Sequence, residues 1–193
     1  MTFVLLISNK TNKQNRVMTK ETLTTHLKAY VGTYHKYNCG SIDGAWVDLT
    51  EFANEDEFWS YCKELHKDEP DPEFMIQDFE CEAFFDGMIS EYGIDAKIWD
   101  VLPQYEALEN WEQEGVSAYL DAFVVTDREE ALNEWQDHFC TCDLDEYAQE
   151  VVDSWDLPNN VEMYIDFEKL ERDLSFDLLL GTCNNNTYYF YSH

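Results

Sequence analysis

His138, Cys140 and Cys142 fall within one short stretch, and imidazole and thiolate are the ligands zinc prefers. A structural zinc site takes four ligands, and no second pair stands at a spacing that would complete the tetrahedron. Cys39, Cys62, Cys81 and Cys183 are scattered singly. Asp143 and Asp145 begin like a calcium loop, but the Gly such a loop needs for its turn is missing. There is no His-Glu-x-x-His stretch, no Gly-rich phosphate loop, and no Ser, His and Asp constellation that stands out. The residues left to do chemistry are carboxylates: 41 Asp and Glu against 12 Lys and Arg among 193 residues. Two of them tuned apart in a cleft would make a metal-dependent carboxylate enzyme, such as a nuclease carried on a mobile element. Nothing in their spacing singles out a pair.

The charge is uneven. Lys10, Lys13, Arg16, Lys20 and Lys28 lie in the first thirty residues, with Glu21 the lone acid there. Residues 31–193 hold 7 basic and 40 acidic side chains, a net of −33. Self-repulsion on that scale opposes a compact state. Aromatic residues make up 16% of the chain, which excludes a disordered acidic tail. Ordinary solvated surfaces mix both signs, so solubility alone does not explain so few cations. Adaptation to high salt fits the many aromatic residues and the six Cys poorly. The remaining reading makes the negative field itself the function. Duplex DNA carries one charge per roughly 1.7 Å of axis, so this charge at that density spans roughly 56 Å, or about 16 base pairs.

The elements that must carry these acids are small. Residues 1–28 read as a basic, Thr- and Asn-rich extension with one short strand at Phe3 to Ile7, and Met18 is an alternative start. No secretory signal or membrane-length apolar run is seen, so the thiols are expected to be reduced and the protein cytoplasmic. In such a compartment the Asn185 to Thr187 sequon carries no meaning. Residues 29–88 predict a small α+β unit with three strands and a helix. Its opening, AYVGTYHKYNCGS, contains no acid and reads as a hairpin whose Gly residues allow tight turns. A helix is expected over Glu55 to Lys67, capped by Asn54 with Glu57 and turning Phe58, Tyr61, Cys62 and Leu65 inward. Residues 89–126 read as helical, with one stripe at Ile94, Ile98, Leu102 and Tyr105, a break or kink at Pro103, and a second stripe at Val116, Tyr119, Leu120 and Phe123.

Residues 127–193 form a further α+β unit. Thr126 with Glu129 and Asp143 with Glu146 look like capping boxes for two helices. The first helix turns Ala131, Leu132 and Trp135 inward, the second Tyr147, Val151, Val152 and Trp155. VEMYI is expected as a strand and DFEKLERDL as a short helix. FDLLLG and TYYFYSH close the chain as a hairpin. The fold class is therefore α+β, an elongated chain of three small units.

AYVGTYHKYNCGSIDGAWVDL resembles the opening signature of the ArdA antirestriction proteins, on Tyr34, Lys36, Tyr37, Asn38, Gly40, Gly44, Trp46, Asp48 and Leu49. FWSYCKELHKDEPDPEFMIQDFE is similar to that family's next helix, acidic turn and strand. WQDHFCTCDLDEYAQEVVDSWDLP resembles its antirestriction-motif region, with Thr141 and Cys142 where a Gly and an aromatic residue are expected. YIDFEKLERDL resembles its C-terminal segment.

The resemblance implies a curved homodimer whose surface mimics bent B-form DNA. It implies binding in the DNA groove of Type I restriction-modification enzymes, blocking restriction and often modification. It implies no catalysis, cofactor or metal, no direct binding of nucleic acid, and no membrane. The expected partner-binding acids are Glu64, Asp68, Glu69, Asp71, Glu73, Asp78, Glu80, Glu82, Asp86, Glu91, Asp95, Asp100, Glu106, Glu109, Glu112 and Glu114. Trp135, Phe139 and Tyr147 are expected near the dimer contact.

The basic extension lacks the acids such a mimic needs. Starting the protein at Met18 is expected to leave antirestriction activity largely intact. A folded, soluble truncation that no longer protects DNA from restriction would contradict this.

Overall fold

The computed structural model describes residues 25–140, 143–158 and 160–192. The expected strand at Phe3 to Ile7, the start at Met18, and Thr141 and Cys142 lie outside them.

Strand β1 (Leu27–Thr33) is central because Leu27, Ala29 and Val31 alternate inward and are fully buried. β2 (Ala45–Asp48) and β3 (Phe74–Cys81) flank it in the order β2-β1-β3, both antiparallel. Lys28 faces Asp48, and Tyr30 faces Trp46. Between β1 and β2 the chain is not a plain hairpin. Thr33 keeps an extended backbone and accepts from the Lys36 N–H at 3.3 Å, which starts one helical turn, α1 (Tyr34–Asn38). Gly40, at φ 83°, then takes the chain out of it.

Helix α2 (Glu55–Leu65) begins where the sequence says it should. Asn54 accepts from the Glu57 N–H at 3.0 Å, while Glu57 reaches back past Asn54 to the Ala53 N–H at 3.1 Å. Phe58 and Cys62 are buried. Tyr61 is not: it stands 49% exposed, leaning on Phe52 at the core's rim.

Residues 89–126 are not helical throughout. They start with a tight pair, β4 (Ile89–Ser90) and β5 (Gly93–Ile94), so Ile94 belongs to a strand and the helical stripe begins at Ile98. α3 (Ile98–Glu106) runs through Pro103, whose ring faces solvent, and stops three residues later. α4 (Asn110–Phe123) holds Gly115 in its middle.

The cap of α5 (Arg128–His138) is Asp127 rather than Thr126: its Oδ1 accepts from the N–H groups of Glu129 and Glu130. A carboxylate at that position also suits the positive helix end. α6 (Leu144–Ser154) buries Ala148 and Val152, but Trp155, just past its end, is exposed. VEMYI is a 3-10 turn at Glu162–Tyr164 instead of a strand; so short an apolar run does not separate the two by pattern. α7 (Phe167–Leu174) is capped by Asp166 and buries no residue fully. β6 (Leu178–Cys183) and β7 (Asn186–Tyr191) close the chain as the expected hairpin. Asn184 and Asn185, both at positive φ, form its two-residue turn.

The fold class is α+β, as the sequence indicated. One continuous set of buried side chains runs from Leu27 to Phe190. At its middle Phe84 stacks on Tyr105 with centroids 4.5 Å apart. Two glycines permit close approach there. A Cβ on Gly115 would stand 2.7 Å from the buried Trp135 ring, and one on Gly181 would stand 1.9 Å from the Ala118 carbonyl oxygen. The first obstacle is a side chain, the second is backbone.

Gly181→Ala should therefore cost more than Gly115→Ala. About 1–3 kcal/mol is expected for the overpacked Gly115→Ala, partly offset by the roughly 1 kcal/mol that Ala gains over Gly in a helix. Urea unfolding midpoints should fall in the order wild type, Gly115→Ala, Gly181→Ala. The reverse order would mean that β6 does not press on α4 as described.

Candidate functional site

The acids separate into two groups by what they touch. Glu69, Glu82, Glu112 and Glu114 are half-buried and have partners inside the chain. Glu69 accepts from the Thr33 hydroxyl at 2.6 Å. Glu82 accepts from the Tyr105 hydroxyl at 2.7 Å and from the His26 N–H at 3.0 Å. Glu112 accepts from the Glu109 N–H at 2.8 Å and so caps α4. Glu114 receives the Tyr188 hydroxyl and the Asn186 amide, gripping the closing hairpin. Burial and then Glu114 itself push Tyr188 up.

The rest of the expected set faces solvent: Glu64, Asp68, Asp71, Glu73, Asp78, Glu80, Asp86, Glu91, Asp95, Asp100, Glu106 and Glu109. They come from the end of α2, the loop to β3, β3 and the turn after it, the β4–β5 hairpin and its exit, α3, and the cap of α4. Two of them have a cation close by. Glu64 accepts from Lys67 at 2.7 Å, and Asp68 accepts from Lys36 at 3.1 Å. Glu80 also meets His26 Nε2 at 2.8 Å.

The expected set ends at Glu114, and further acids beyond it face solvent. On α5, Glu129, Glu130, Glu134 and Asp137 are all exposed; on α6, Asp145, Glu146, Glu150 and Asp153 are too. Glu130 with Glu134, and Glu146 with Glu150, are like charges one turn apart, an arrangement that costs a helix a few tenths of a kcal/mol per pair (about 0.2–0.5). Their signal was in the sequence, as acids at i and i+4. The field reaches inward: burial, then Glu134 and Glu130, raise the Tyr119 pKa.

The cations are mostly spent within the fold. Lys36 has a side chain only 14% exposed, with Asp68, Asp43 and Glu69 at 3.1, 3.7 and 3.9 Å. Burial alone would lower its pKa, but the hydrogen bond to Asp68 and the nearby carboxylates raise it. Its Nζ also lies 3.1 Å from His66 Nδ1, and His66 Nε2 lies 3.2 Å from the Val31 carbonyl. The acid-free signature is thus a scaffold whose one lysine ties α1 to the α2–β3 loop. Lys97 pairs with Asp127 at 3.2 Å and Arg172 with Asp173 at 3.3 Å. Arg128 donates to backbone carbonyls.

Trp135 is 1% exposed and packs within its own chain on Gly115, Trp111 and Phe139. Phe139 is half-buried and bridges to Phe190. Tyr147 is half-buried, its ring 5.8 Å from that of Tyr191. Later in the chain Trp155, Met163, Tyr164, Phe176 and Leu180 are exposed. Among the described residues, no group of three or more His, Cys, Asp or Glu side chains could hold a metal. Among them too, no helix is long and apolar enough to cross a membrane. Burial pushes the Cys62 thiol up to about 12, so it is inert.

A family model described as antirestriction protein (ArdA) matches residues 29–186. A comparison with curated proteins finds no match.

The Lys36 cluster makes a pH prediction. The hydrogen bond from Lys36 is the main cause that lowers the Asp68 pKa from 3.8. A lowered carboxylate stabilises the fold fully above its unfolded value, and that stability is lost as pH falls through the folded value. Lys36→Met should therefore lower the melting temperature at neutral pH. The gap from wild type should shrink as pH falls below about 4. A gap unchanged down to pH 2 would mean that packing, not the ion pairs, makes the contribution.

Proposed function

Since the chain belongs to the ArdA antirestriction family, we propose that it inhibits a Type I restriction-modification enzyme by occupying its DNA-binding groove as a mimic of duplex DNA. Restriction is blocked, and modification with it. The observation that carries this reading is the fate of the charges. Most cations of the body are turned to carboxylates or carbonyls of the chain itself, while rows of acids on α3, α5 and α6 face solvent. A groove built to neutralise phosphates with Lys and Arg releases counterions from DNA, and a surface of this kind would take the same groups.

In this reading the protein acts in the cytoplasm without catalysis, cofactor or metal, and binds neither nucleic acid nor membrane. The chain is organised as a basic extension over 1–28 and three units over 29–88, 89–126 and 127–193. A homodimer doubles the length of DNA matched, which suits an enzyme with two recognition domains. Trp135 is closed within its own chain, so the apolar area for that contact would come from exposed residues at and after the end of α6: Trp155, Met163 and Tyr164.

Binding through a distributed field makes single exposed acids redundant, because each exposed pair contributes only about 0.2–1 kcal/mol. Glu73→Gln alone should change inhibition less than about fivefold. Neutralising Asp71, Glu73, Glu91, Asp100, Glu106 and Glu109 together should weaken binding to a methyltransferase core by about a thousandfold and flatten its salt dependence. Duplex DNA should compete, and a chelator should have no effect. If one well-folded single substitution abolished inhibition while the sixfold variant stayed active, a catalytic or metal-bound carboxylate would replace the mimic.

A further inference from the structure

The first sheet, α3 and α5 meet at residues 82–86, and Arg128 reaches that point from the first turn of α5. Its Nε donates to the Phe84 carbonyl at 2.6 Å, and its Nη2 donates to the Asp86 carbonyl. Its Nη1 donates to the Thr126 carbonyl at 3.2 Å and lies 3.4 Å from that of Val125. The guanidinium carbon stands 6.0 Å from the centre of the Phe84 ring. That ring is fully buried and stacked on Tyr105 of α3, whose hydroxyl in turn holds Glu82. One side chain therefore joins the segment after β3 to the link between α4 and α5. A planar fork of five donors can do this, and a single ammonium cannot.

The link it grips is strained. Val124, which ends α4, has φ 54° and ψ 37°. A β-branched residue in the left-handed region is a true outlier, and such conformations persist where the surroundings over-determine them. The carbonyls that Arg128 holds belong to the next two residues. Lys97, at the start of α3, adds an ion pair to Asp127 beside the same joint.

We infer that Arg128 is a positioning residue for inhibition: it pins α5 and its acid row at one angle to the first sheet, so that both face one groove. This rests on the mimic reading. A distributed field works only if the carboxylates stand where the groove expects phosphates. A loose joint keeps every acid but spreads the molecule over orientations, and affinity falls with the fraction that is competent. The count of carboxylates, and with it the salt slope, stays the same.

The test compares wild type with Arg128→Lys, which keeps the charge but not the fork, and with Arg128→Gln. Dyes are placed through unnatural amino acids at Ser60 on α2 and Asn133 on α5, both exposed. All measurements are made where circular dichroism shows full folding. Arg128→Lys should bind the methyltransferase core about tenfold more weakly. Its slope of log affinity against log salt should match wild type, and its distribution of dye distances should broaden. Weaker binding with unbroadened distances overturns the inference, and so does broadening with unchanged affinity. Should Arg128→Gln not fold, Arg128→Lys decides alone. Failure of wild type itself to bind the enzyme would sink the mimic reading, while the distances in the free protein would still show whether Arg128 is a pin.

Discussion

Like-charge repulsion is the condition every part of this fold has to meet. With a formal charge of −29, each acid on the surface raises the free energy of a compact chain. Three of its few cations sit where they tie separate segments of backbone together. Lys36 sits among three carboxylates and His66, joining α1 to the loop after α2. Lys97 joins the start of α3 to the cap of α5. Arg128 lies in the field of Asp86 and Asp127 and donates to four carbonyls. These three thus tie the fold together and leave most of the outer field uncancelled.

The aromatic content follows from the same condition. A surface that repels itself must be held by a core that does not depend on ion pairs. Phe58, Phe84, Phe85, Trp135 and Phe190 are fully or almost fully buried. Phe84 and Phe85 meet at an edge, and both contact Tyr105. Aromatic side chains bury roughly 150–250 Å² each, so a few of them offset much repulsion. Gly115 and Gly181 bring α5 and β6 against α4 closely enough to close that core.

How much of this was legible in the sequence depended on range. Capping side chains and two-residue turns act locally, so Asn54, the start of α2 and the Asn184–Asn185 hairpin were readable. Asp127 and Thr126 are neighbours with equal capping chemistry, and spacing to Glu129 favoured the wrong one. The β4–β5 pair hid inside an apparent helix because Ile94 and Ile98 share helical spacing across a strand and a turn. Trp135 was recognisable as inward, but its packing on Gly115 joins residues far apart in the chain. The acidic surface was legible as a composition. Its division into structural and exposed carboxylates was not, because Tyr105 and Tyr188 reach Glu82 and Glu114 from distant elements.

That division bears on what a field-based inhibitor can be. If every carboxylate were interchangeable, any acidic polymer would fit a groove made for DNA, and there would be no reason to fold. Here Glu82 joins Tyr105 to the segment after β3, and Glu114 holds the closing hairpin against α4. A minority of acids thus set the positions of the majority. The exposed rows on α5 and α6 contain like-charge pairs that weaken the helices bearing them. If the surface meets a groove lined with cations, as proposed above, that partner supplies what the helices lack. In the proposed reading, the core and the internal cations have one purpose in common, which is to hold repelling groups in a fixed pattern until that partner binds.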